Sequence, residues 1–112
     1  MPQPIKYDEI IERLAHRTEE GKINWSQVFS SNKFTCSVDG EFTFRVEKWE
    51  EPDGTYVRLS MADKEDNEIF QFAQDVDYPS GKRLADLHEA ARRKALNVDE
   101  KINAVKTILD RI

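Results

Sequence analysis

One cysteine, two histidines, four glycines and four prolines are all this sequence holds of the residues that most often announce a staple, a metal site or a phosphate loop. With Cys36 alone, no internal disulfide and no Cys-x-x-Cys pair can form. His16 and His88 belong to no paired-histidine motif, so no metal is assigned. The few glycines never cluster into a phosphate-cradling loop, no nucleophile elbow occurs, and Asp63 to Asn67 lacks the glycine and distant glutamate of a calcium loop. No apolar run reaches signal-peptide or membrane-spanning length, which makes a cytoplasmic protein with no membrane contact the expectation. Carboxylates are plentiful but fall at turns and on exposed faces, where they keep ordinary acidity and make poor general acids. The chain is therefore expected to be no enzyme, with no catalytic residue and no cofactor.

What is present is alternation. From Phe34 to Gln74, apolar and polar residues alternate with the period of two that a half-buried strand requires. Phe42, Phe44 and Val46 alternate with Thr43, Arg45 and Glu47, and Val57, Leu59 and Met61 alternate with Tyr56, Arg58 and Ser60. Turn residues then predict the register, because directly opposed residues share a face. A three-residue loop, Val38-Asp39-Gly40, is expected to set Cys36 against Phe42 and Phe34 against Phe44. Four-residue loops at Glu51-Pro52-Asp53-Gly54 and Lys64-Glu65-Asp66-Asn67 set Trp49 against Tyr56, Glu47 against Arg58 and Leu59 against Phe72. All three loops agree on one inner face: Phe34, Cys36, Phe42, Phe44, Val46, Val57, Leu59, Met61, Phe70 and Phe72.

Helices flank this meander. After an irregular lead, Met1 to Pro4, the residues Tyr7, Ile10, Ile11, Leu14 and Thr18 recur at helical spacing and predict a stripe facing the sheet, with Gly21 as the stop. Gly21 to Asn32 has no period, yet Ile23, Trp25, Val28 and Phe29 imply that it is packed down. Trp25 reads as a plug at the sheet edge or the mouth of the core, and a ligand-stacking role is the alternative. Asp75 to Gly81 reads as a loop, with Ser80 capping a helix whose stripe is Leu84, Leu87, Ala91 and Ala95. Asn97-Val98-Asp99-Glu100 resembles a capping box, after which Val98, Ile102, Val105, Leu109 and Ile112 mark a last helix. That helix either folds back or projects. If it projects, Ile102, Val105 and Leu109 form a dimer seam.

Charge is unevenly placed. Residues 39 to 77 hold 12 acidic and 4 basic side chains, a balance of −8, while residues 78 to 112 hold 5 acidic and 8 basic. Mutual attraction between acidic sheet and basic helix is the plain expectation. Such a sheet would repel phosphates, so nucleic acid is an unlikely partner. The remaining candidates are surfaces. On the outer sheet face Trp49, Tyr56, Arg45 and Arg58 form the candidate protein-binding patch, since aromatics beside arginine are typical of interface cores. Lys82, Arg83, Arg92, Arg93 and Lys94 are a possible anion-binding set. Cys36 is taken as a structural thiol, His16 as an ordinary exposed histidine, and His88 as a histidine at the margin of its helix's stripe, satisfied by a carboxylate or carbonyl.

These readings predict one α+β domain over residues 1–112: a helix over 1–21, a four-stranded antiparallel sheet over 34–74, and a helical segment over 80–112 covering one sheet face. The expected function is that of a non-enzymatic interaction or regulatory protein acting through a preformed surface, and a homodimer if the last helix projects. The alternatives are a nucleic-acid binder using residues 82–94 and a small-ligand domain with a pocket near Trp25, Cys36 and His88. The order helix, meander, helix is similar to that of several kinds of small acidic bacterial protein, including secretion chaperones and toxin-immunity proteins. That likeness is one of architecture and carries no motif residue.

Overall fold

A computed structural model describes residues 5–112. The lead at Met1 to Pro4 lies outside the described residues. The first helix, α1 (Ile5–Glu19), buries Ile11, Leu14 and Thr18 along its stripe. Gly21 ends it as expected. With φ at 77°, its N–H donates to Thr18 O at 3.0 Å while Lys22 N–H donates to Arg17 O at 2.9 Å, the paired bonds of a Schellman stop.

The sheet has five strands, one more than the pattern predicts: β1 (Ser26–Gln27), β2 (Lys33–Val38), β3 (Phe42–Glu51), β4 (Gly54–Asp63) and β5 (Glu68–Asp75), ordered 1-2-3-4-5 and antiparallel throughout. The extra strand, β1, is two residues long, too short for alternation to show.

Two of the three predicted registers hold. Trp49 faces Tyr56, Glu47 faces Arg58, and Leu59 faces Phe72. The strands close further than expected at the second turn, where Glu51 pairs Gly54 and only Pro52 and Asp53 intervene. At the third loop the left-handed residue is Asp66, with φ at 66°. Asp63 explains this, since its carboxylate accepts the Glu65 and Asn67 N–H groups at 3.0 and 2.9 Å and holds the loop in shape.

The first hairpin differs by two residues. Cys36 faces Phe44, Phe34 faces Val46, and Val38 faces Phe42. Asp39 and Gly40 do form the turn, with φ at 58° and 67° as a type I′ turn needs, and Glu41 N–H donates to Val38 O at 3.1 Å. Glu41 is an extra residue that restores the face which a bare two-residue turn would have inverted. A shift of two keeps every side chain on its face, so the inner face is unchanged except at its end, where Phe42 is exposed.

Helix α2 (Pro79–Ala95) lies across the inner face with Leu84, Leu87 and Ala91 fully buried, and α1 lies beside α2, reaching β5 through Tyr7, which stacks on Phe72 at 5.1 Å. The N-terminal stripe thus packs largely on a helix, not on the sheet. The start of α2 also differs: Pro79 and Ser80 are helical, and Ser80 Oγ donates to Asp8 Oδ1 at 3.1 Å, with Tyr78 at the cap position. Gly81 is a helical residue, buried where α2 crosses the end of β5.

Candidate interaction surfaces

The last helix, α3 (Val98–Arg111), projects. It has no buried residue, every position from Asp99 onward is exposed, and the molecule is drawn out to 60 × 37 × 24 Å. The junction departs from the predicted capping box. Asn97 is left-handed, with φ 52° and ψ 45°, and makes no side-chain cap bond. Its N–H instead donates to Lys94 O at 3.3 Å, closing α2. Asn tolerates this conformation better than other non-glycine residues, so it serves as the stop of one helix before it can cap the next. An ion pair from Arg93 to Asp99 spans the corner. An open cleft of about 410 Å³ lies inside it, lined by Thr18, Glu19, Lys94 and Glu100 among others.

Along α3, Ile102, Val105 and Leu109 are 49%, 52% and 62% exposed, and Ile112 continues the same line. Ile108, which the stripe omits, is exposed beside them and widens the apolar face. Successive steps of four and three residues keep Val98, Ile102, Val105, Leu109 and Ile112 on one line of the helix.

The outer sheet face brings together three of its four predicted residues. Trp49 stacks on Tyr56 with ring centroids 5.7 Å apart and planes at 23°, and the Arg58 guanidinium lies 4.9 Å from the Trp49 ring. Their polar atoms are occupied within the sheet: Trp49 Nε1 donates to Glu51 at 2.8 Å, Tyr56 OH to Asp53 at 2.8 Å, and Arg58 Nε to Glu47 at 2.9 Å. The bond to Asp53 pushes the Tyr56 phenol up to about 12, since ionising it would place two anions together. Arg45 stands apart, roughly 13 Å along β3 from Trp49. It is exposed beside a depression lined by Thr43, Ser60, Asp66 and Glu68, and among the described residues it has no ion-pair partner within 4.0 Å.

The basic residues of α2 do not meet the acidic sheet. Arg83 pairs with Asp8 on α1 at 3.4 Å, Arg92 with Glu89 at 2.9 Å, and Arg93 with Glu89 and Asp99, all on helices. The attraction inferred from charge totals therefore fails. The sheet's carboxylates stand on turns and the outer face, whereas α2 covers the inner one. Lys82, at the helix start, reaches Val76 O at 3.4 Å, and Lys94 lies beside Gly21 at the other end, so the five cations are divided between two ends about 15 Å apart.

Trp25, Cys36 and His88 are all core residues. Trp25 Nε1 donates to Thr18 Oγ1 at 2.9 Å, and Thr18 Oγ1 donates to Leu14 O at 2.6 Å, a buried relay that plugs the core beneath α1. His88 is buried, not marginal. Its Nε2 lies 2.8 Å from Asn32 O, an acceptor, so the imidazole carries its proton there. Burial holds its pKa below the ordinary value, because the imidazolium would lose its water. The Cys36 thiol is pushed up to about 12 by the same loss. His16 is exposed and lies 3.2 Å from Glu20. Among the described residues no group of three His, Cys, Asp or Glu is placed to hold a metal, and no helix is long and apolar enough to cross a membrane.

One apolar group expected to be packed down is exposed instead. Phe29, at the tip between β1 and β2, is 92% exposed with φ at 55° and is not packed down as its neighbours Ile23 and Trp25 are. No signal in the sequence separates it from them. No family model, curated protein or solved structure matches this chain.

Proposed function

We propose that this protein is a non-enzymatic interaction module: a rigid α+β body that holds α3 away from itself as a docking element for a protein partner. The observation that carries this reading is the apolar line Ile102–Val105–Leu109 on a helix with no buried residue. An isolated helix of this length is marginal in water, and apolar residues at seam spacing gain stability only against a second surface. The body supplies anchorage through the Arg93–Asp99 pair and the left-handed Asn97, which set the direction in which α3 leaves.

A second reading puts the partner on the outer sheet face. It is favoured by the Trp49–Tyr56–Arg58 stack, which is half-exposed and already held in place by Glu47, Glu51 and Asp53. Preordered aromatics lose little entropy on binding. Against it, each polar tip of the stack already has an intramolecular partner.

One experiment separates the two. A photo-crosslinking residue is placed at Ile108, beside the α3 line, or at exposed Ala73, opposite Arg58 on the outer face. Each variant is then irradiated in the cells that express the chain. A discrete protein adduct from Ile108 and none from Ala73 is the expected result. The reverse pattern transfers the function to the sheet, and no adduct from either position refutes both readings.

A further inference from the structure

We infer that the occupant of the α3 line is the α3 of a second copy of this chain, running antiparallel to the first. This rests on α3 being the interaction element and names its partner. The spacing supports like pairing with like, since steps of four and three are the seam of a two-helix coil and a two-fold axis lets one stripe satisfy itself.

Charge selects the orientation. In a parallel pair the residue before Ile102, Lys101, would lie across from Lys106 of the second copy, and the repulsion would occur twice. In an antiparallel pair with Ile102 opposite Val105 and Leu109 opposite Val98, Asp99 comes near Lys106 instead, and the attraction occurs twice. Orientation also sets where the bodies go. Each chain carries a net charge of −5, and antiparallel helices put the two bodies at opposite ends of the pair, whereas parallel helices would crowd them together. In that register Ile112, 94% exposed, reaches the level of Ala95, beside the cleft at the root of the other α3.

The competing self-surface is the open edge of β5. There an antiparallel pair would set Glu68 against Asp75 in both copies, so the edge opposes its own pairing.

The test uses the full chain in sedimentation equilibrium from about 1 μM to 1 mM, the range in which so short a seam should associate. A reversible dimer is expected. Leu109→Asp should remain monomeric throughout with an unchanged unfolding midpoint, because Leu109 touches nothing buried. Lys106→Glu should weaken the dimer by roughly tenfold at low salt, since two attractive pairs become repulsive. In a parallel dimer the same change would face Lys101 and tighten association, so its sign reports orientation. A wild-type monomer at 1 mM, a dimer indifferent to Leu109→Asp, or a dimer tightened by Lys106→Glu each overturns the inference. A monomer that still crosslinks from Ile108 to a different protein would overturn only the self-pairing and leave α3 as the docking element.

Discussion

Replacing Gly81 with alanine should destabilise the protein, although alanine is the better helix former. The position is inside α2, where glycine is disfavoured by about 0.5–1 kcal/mol relative to alanine, so propensity alone predicts a gain. The structure forbids it. A Cβ on Gly81 would sit 1.7 Å from Asp75 O, 2.5 Å from Asp75 C and 3.0 Å from Val76 Cα, all of them backbone atoms. Neither side can yield freely. Asp75 O accepts the Tyr78 N–H at 3.1 Å, and Val76 N–H is tied to Thr55 O at 3.0 Å. Moving this strand end gives up a hydrogen bond worth about 0.5–1.5 kcal/mol. Lifting α2 instead pulls fully buried Leu84 from the core, and overpacking strain of this kind costs about 1–3 kcal/mol. After the propensity gain the net loss is about 1–2 kcal/mol, or a fall of at least 4 °C in Tm for a domain near this size. Thermal unfolding by circular dichroism measures it. A Tm that is unchanged or raised would refute the claim that α2 is seated on β5 through the bare backbone of Gly81.

Thr18→Val keeps the shape of the side chain but leaves the buried Trp25 indole N–H without an acceptor, and should cost about 1–3 kcal/mol; equal stability of variant and wild type by urea denaturation would show that the relay contributes nothing. His88 makes stability depend on pH. Its folded pKa lies below the ordinary 6.5, so as pH falls the unfolded chain takes up the proton first. The stabilisation is complete above about 6.5 and is lost as pH falls through the depressed folded value, so His88→Gln, which can still donate to Asn32 O, should flatten the slope there. An unaltered slope in that variant would assign the effect elsewhere. Cys36, buried and with its thiol pushed up to about 12, should be silent to a thiol reagent in the native protein and react fully in denaturant. Rapid native labelling would contradict its place in the core.

What could be read in the sequence was whatever leaves a local periodic trace. The registers of β3 with β4 and of β4 with β5 follow from alternation plus turn residues, because a half-buried face tolerates only slips of two. The first hairpin shows the limit of that argument: a slip of two kept every face correct and moved every partner. Strand β1 left no trace because two residues have no period, and Asn97 misled because the same amide that suits a helix start also suits the left-handed end of the helix before it. Charge totals misled for a different reason. They have magnitude but no direction, and the cations of α2 found carboxylates on helices while the sheet's acids faced the other way. The same limit governs α3. An apolar line on a helix states that it needs a second apolar surface but not whether that surface belongs to its own chain, and only the fold answers. Here α2 with α1 beside it already covers most of the inner sheet face, so little apolar area is left on it for α3. The legible part of the candidate site is thus its chemistry, Ile102, Val105 and Leu109. The part that had to be seen is that the body closes without them.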